Sequence, residues 1–125
     1  MKISIIVGGR FHAFNLAEQL DKKNYLKQLI TSYPKFYFDN KFNINKKLIK
    51  SVFIKEILQR SFLNRLFNIN DYLNKYFEYR ALSNLDFKDL DILIGWSSFS
   101  YSSFLKAKNE KCISTNHKRL YHYFL

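Results

Sequence analysis

The chain has 125 residues, 47% hydrophobic and 18% aromatic, which is enough apolar surface for one small domain and too much for a disordered chain. Its 21 Lys and Arg against 10 Asp and Glu give a formal net charge of +11, but the cations are scattered and no zinc-finger, basic-zipper or RNA-binding motif accompanies them, which argues against specific nucleic-acid recognition. One cysteine excludes an internal disulfide framework, and no apolar run approaches the ~18 residues of a membrane span.

Lys2–Val7 is apolar and β-branched almost throughout, the pattern of a parallel strand buried on both faces. It is too short for the apolar region of a signal peptide. Gly8-Gly9 ends the run. Ala13, Leu16, Ala17 and Leu20 then fall on one helix face, with Glu18, Gln19, Asp21 and Lys22 opposite. Leu26–Thr31 predicts a second strand, closed by Ser32-Tyr33-Pro34 because proline cannot donate to a ladder. The three together make a parallel strand–helix–strand unit.

The middle of the chain is less periodic. Phe36–Lys47 reads mostly as loop, and Leu48–Phe53 as a short third strand. Ile54, Ile57, Leu58, Phe62 and Leu66 form a helical apolar stripe expected to face the core. Lys55, Glu56, Gln59, Arg60 and Asn64 are expected to face solvent. Asn70 suits the N-cap of a further helix that buries Leu73, Tyr76, Phe77 and Ala81. Asp91–Trp96 is another buried-strand pattern. Ser97 or Ser98 then caps a helix that runs to about Lys108. Cys112–Thr115 suits the start of one more strand, and no period is visible from Asn116 onward. This order predicts an α/β fold, a Rossmann-like parallel sheet with flanking helices, in a single incomplete domain.

Ligands of such sheets bind beyond the carboxyl ends of the strands. Two of those ends carry glycine with polar residues: Gly8-Gly9-Arg10 and Gly95-Trp96-Ser97-Ser98. The two tips are expected to be neighbours. The first is not a dinucleotide fingerprint, because the third position counted from Gly8 is Arg10, where a pyrophosphate needs glycine. It is not a P-loop either, for no Gly-Lys-Ser/Thr follows. Arg10 and His12 at a helix start nevertheless suit a polar or anionic ligand. The plainer reading is a tight turn with two solvated side chains. Cys112, His117 and His122 are too few and too evenly spaced for a structural zinc site, so no metal is expected. The serines at 97, 98, 100, 102 and 103 do not form a nucleophile elbow.

Three stretches, MKISIIVGGRFHAFNLAEQL, LITSYPKF and DILIGWSSFSYSSFLKAK, together resemble the start of family 4 glycosyltransferases of the GT-B fold. The resemblance covers about residues 1–113 and is loose between the stretches. It implies the N-terminal, acceptor-side domain of a retaining enzyme with two Rossmann-like halves. The substrate-binding positions it implies are Gly8, Gly9, Arg10 and His12 in the first loop, and Trp96, Ser97 and Ser98 in a later one. It implies no metal and no cofactor beyond the nucleotide-sugar co-substrate of the full-length family. The acceptor would be a glycan or a lipid-linked glycan.

Residues 114–125 depart from the family pattern and are expected to be a divergent tail, in a chain that lacks the donor-binding C-terminal domain and is inactive alone. The function expected is therefore acceptor binding in polysaccharide or lipid-linked glycan synthesis. The location expected is the cytoplasm, with association at the inner face of the membrane admitted by the basic charge. Two alternatives stand beside it: a non-catalytic Rossmann-like partner module, and a basic membrane- or nucleic-acid-associated protein.

Overall fold

The computed structural model describes residues 1–8, 12–95 and 97–109, with 97–99 as backbone only. Four strands, β1 (Ile3–Val7), β2 (Leu26–Thr31), β3 (Ile49–Ser51) and β4 (Ile92–Gly95), form one sheet in the order β3-β2-β1-β4. Every neighbouring pair is parallel. The helices are α1 (Ala13–Lys22), α2 (Ile54–Gln59), α3 (Phe62–Phe67), α4 (Asn70–Asn84) and α5 (Ser97–Asn109). The chain is thus a small Rossmann-like α/β unit, as the order of its apolar runs predicts.

The central strand explains its own sequence. β1 is bonded on both sides and all five of its residues are buried, so it has no use for polar alternation. Register pairs Ser4 with Gln28 and Leu93, and Ile6 with Gly95. Alternation therefore puts Ser4, Ile6, Gln28 and Gly95 on one face. That face receives α4 and α5. Gln28 Nε2 donates to the carbonyl of Asn84 at the end of α4, at 3.1 Å, and Gln28 Oε1 accepts from Asp86 N–H at 2.9 Å.

The other face presents Ile3, Ile5, Val7 and Leu29, all buried, and α1 packs against β1 and β2 there. Phe14 of α1 extends that layer sideways into an aromatic cluster. Its ring lies 5.6 Å from Tyr33, 4.8 Å from Phe38 and 5.6 Å from Phe42, each pair nearly edge to face.

The cluster corrects one expectation. Residues 36–47 are not simply loop: 3₁₀ turns form at Lys35–Phe38 and Lys46–Leu48, and Phe38 belongs to the core. A turn of three or four residues is too short to show a period. The acids of α1 help to hold this segment instead of facing only water. Glu18 Oε1 accepts from Asn43 N–H at 3.2 Å, and Asp21 Oδ2 from Asn45 N–H at 2.7 Å. The third strand is also shorter than Leu48–Phe53, spanning Ile49–Ser51.

The larger correction concerns residues 54–66. They form two short helices, and the expected apolar stripe faces outward: Ile54, Ile57, Phe62 and Leu66 are exposed, while Lys55 is buried. The break falls at Arg60-Ser61, where Ser61 Oγ donates to Leu58 O at 2.6 Å and Asn64 Nδ2 to Gln59 O at 3.0 Å. These side chains compete with continued helix for the backbone.

Downstream, α4 buries Leu73, Phe77 and Ala81 as expected, but Tyr76 is exposed. Ile69, not Asn70, occupies the N-cap position of α4. Likewise α5 takes Ser97 as its first residue, so Ser97 and Ser98 stand in its first turn and not before it. With only three glycines in the chain, Asn24, Asn68 and Asp89 adopt the left-handed conformation, at φ of 58°, 45° and 55°. Asn and Asp tolerate that region best after glycine.

Candidate functional site

Because all four strands run the same way, Gly8, Ser32, Val52 and Gly95 end or follow them at a single edge of the sheet. In the order β3-β2-β1-β4 the chain moves from β1 to one side and returns with β4 on the other. A crevice opens at the carboxyl ends wherever the order reverses like this. Ile6 pairs with Gly95, so the two glycine-bearing tips lie side by side, as the sequence predicts.

Gly95 is needed there for space. Its φ is not in the left-handed region. A methyl group in its place would overlap Ser100 Oγ and stand 2.7 Å from Ser100 Cβ and 3.2 Å from Phe104 Cζ. The missing side chain lets α5 start close against β4, and so fixes where the second tip leaves the sheet.

The other tip is held by a polar cluster. Lys55 Nζ donates to Gly8 O at 3.2 Å and to Gln59 Oε1 at 2.8 Å. Ser32 Oγ lies 2.9 Å from Gly8 O and 2.7 Å from Glu56 Oε1. A hydroxyl has one proton to give. Given to the Glu56 carboxylate, it leaves Gly8 O to the ammonium, and every partner is served. Arg60 Nε sits 3.3 Å from Glu56 Oε2. The end of β1 is thereby tied to α2 through Lys55, and the end of β2 to the same helix through Ser32 and Glu56. Burial pushes the Lys55 pKa below its usual 10.5, while the charge of Glu56 acts in the opposite sense.

Beside this cluster a groove of about 470 Å³ opens, walled by Tyr33, Phe36, Tyr37 and Phe53, with Glu56 and Arg60 as its charged lining. Aromatic walls with a few polar groups are the usual make-up of a small-molecule site. Among the described residues, no three His, Cys, Asp or Glu side chains gather to hold a metal.

Of the site residues expected from sequence, Gly8 is buried and its carbonyl is the hub of the cluster. His12 is exposed just before α1; its carbonyl accepts from Leu16 N–H at 3.1 Å, and its side chain makes no capping bond. Ser97 and Ser98 open α5. Gly9, Arg10, Trp96 and the side chains of Ser97 and Ser98 lie outside the described residues, as do Cys112, His117, His122 and the tail 114–125. Lys55, Glu56 and Ser32 are the residues that sequence reasoning missed. The usable signal was positional. A helix that directly follows a parallel strand begins at the ligand edge, so Lys55, Glu56 and Gln59 in its first turns were candidates despite the apolar stripe between them.

Comparison with protein-family models, with curated proteins and with solved structures gives no match.

Proposed function

We propose that the chain is the acceptor-binding half of a retaining glycosyltransferase, holding a glycan or lipid-linked glycan while a separate domain holds the nucleotide sugar. The observation that carries the reading is that the Gly8 and Gly95 tips are neighbours at the reversal of strand order, with the first tip braced by Lys55. The groove next to them supports it. Phe36 offers an exposed ring to the C–H side of a sugar, and Glu56 and Arg60 offer an acceptor and donors for its hydroxyls. A half of this kind orients an acceptor hydroxyl; it does not itself stabilise the leaving nucleotide.

The test is a backbone NMR titration of the purified chain with a panel of glycans, run beside nucleotide-sugar binding and hydrolysis assays. Amide shifts confined to Gly8, His12 and the Tyr33–Tyr37 turn on addition of a glycan are expected, without turnover of nucleotide sugar. Tight nucleotide-sugar binding or hydrolysis by the chain alone would overturn the division of labour. A glycan panel that perturbs none of these amides would overturn acceptor binding.

A further inference from the structure

Glu56 is fixed from two sides at the wall of the groove. Ser32 Oγ lies 2.7 Å from its Oε1, and Arg60 Nε lies 3.3 Å from its Oε2. Ser32 is fully buried just after β2, while Arg60 caps the helix that carries Glu56. The Glu56 side chain is only 16% exposed and lines the groove. A carboxylate has about four lone-pair sites, and these contacts use one on each oxygen. A glutamate that served only solubility would need no buried hydroxyl to orient it. Held in this way, the carboxylate is preorganised for a donor that arrives from the groove.

Arg60 supplies the opposite polarity on the same wall. Its Nε faces Glu56, and its side chain is 71% exposed, so the two terminal nitrogens of the guanidinium are presented as donors. A group that only accepts and a group that only donates thus stand side by side. This pair discriminates among ligand groups. The amide of an acetamido sugar is trans and points its N–H and C=O to opposite sides, so it cannot meet both. A carboxylate or phosphate would take Arg60 but stand against the charge of Glu56. A lone hydroxyl can serve both only by bisecting their contact. Two adjacent hydroxyls, gauche on a pyranose ring, each find a partner: one donates its proton and the other accepts.

Resting on the acceptor reading, we propose that Glu56 and Arg60 read a vicinal diol of a neutral acceptor sugar. One hydroxyl donates to the carboxylate and its neighbour accepts from the guanidinium. Ser32 is the positioning residue that holds the carboxylate in place.

The experiment is an NMR titration of the full chain with the methyl α-pyranosides of glucose, galactose and mannose, each beside its 3-deoxy analogue. Loss of the 3-hydroxyl keeps the ring and leaves no two hydroxyls adjacent. The amides of Tyr33, Phe36 and Tyr37 report the groove. At least one parent glycoside should bind about tenfold tighter than its analogue. Glu56→Gln should reduce that preference severalfold, because an amide oxygen accepts more weakly than a carboxylate. Arg60→Ala and Ser32→Ala should reduce it as well. The preference is a ratio within one protein, so a general loss of stability does not imitate it, and the amide spectrum of each variant checks its fold.

Equal binding of every glycoside and its analogue by the unmodified chain would overturn the diol and leave acceptor binding standing. A preference unchanged by Glu56→Gln or Arg60→Ala would overturn the role of the pair, and one unchanged by Ser32→Ala would overturn the positioning role. No shift in the groove with any glycoside would remove the acceptor reading and the diol together.

Discussion

Replacing Gly95→Ala tests whether the approach of α5 to β4 sets the second tip. Elsewhere in a strand the change would help slightly, because alanine loses less backbone entropy than glycine on folding, about 0.4–1 kcal/mol. Here the new methyl would overlap Ser100 Oγ and come within 2.7 Å of Ser100 Cβ, an atom fixed to the α5 backbone and unable to rotate away. Ser100 and Phe104 are both buried, so neither has open space to enter. The helix must therefore shift as a body. Overpacking of this kind costs about 1–3 kcal/mol, which outweighs the entropic gain.

Urea denaturation should show a lower midpoint at unchanged slope, with a net loss of about 1–2 kcal/mol. The double variant Gly95→Ala, Ser100→Gly removes the clashing atoms. It should recover part of the loss, limited by the roughly 1 kcal/mol that glycine costs inside a helix. A Gly95→Ala protein as stable as the original, or a double variant no better than the sum of the two singles, would refute the packing argument.

Two further substitutions probe the aromatic core and the buried cation. Phe38→Ala empties the middle of the aromatic cluster and should cost about 3–5 kcal/mol by urea denaturation; a loss under ~1 kcal/mol would mean that residues 33–42 do not pack on Phe14. Lys55→Met removes a cation whose pKa is lowered by burial, so the unfolded chain holds that proton above the folded pKa and the native protein gains stability, relative to the variant, as pH rises from there to 10.5. The slope cannot exceed about 1.4 kcal/mol per pH unit for one proton, and a stability difference that is flat or falls with pH would contradict the buried ammonium.

How much of this was legible beforehand depends on how far each signal extends along the chain. The strands at Ile3–Val7 and Ile92–Gly95 are visible because burial on both faces demands a nearly unbroken apolar run, and Leu26–Thr31, despite Lys27 and Gln28, is marked by its apolar end and the Ser32-Tyr33-Pro34 that closes it. The neighbouring tips follow from topology, since a strand–helix–strand start with a later parallel strand leaves few arrangements. Phe38 was not legible, because its burial depends on Phe14, which meets it only in three dimensions. The orientation of α2 was misread for a more specific reason. A six-residue helix has fewer than two turns, so Ile54, Ile57 and Leu58 define a face only weakly, and the tertiary contacts decided it.

That orientation links the braced tip to the outward apolar face. Residues on a helix are rotated by about 100° each. Gln59 therefore stands about 40° from Lys55, and Glu56 about 100°. Turning Lys55 inward to reach Gly8 O brings Gln59 into hydrogen-bonding range and leaves Glu56 at the side, where it meets Ser32 and Arg60. Ile57 stands about 160° from Lys55 and has no inward position left to take. Its exposure is thus a consequence of the bond between Lys55 and the Gly8 carbonyl, not a failure of packing. A chain that needed only a core would have placed Ile57 inward and Lys55 in water, since burying an ammonium is costly and burying an isoleucine is favourable. The opposite arrangement joins two things on one short helix: a strand tip fixed in place at the edge where the strands end, and an apolar side chain turned outward.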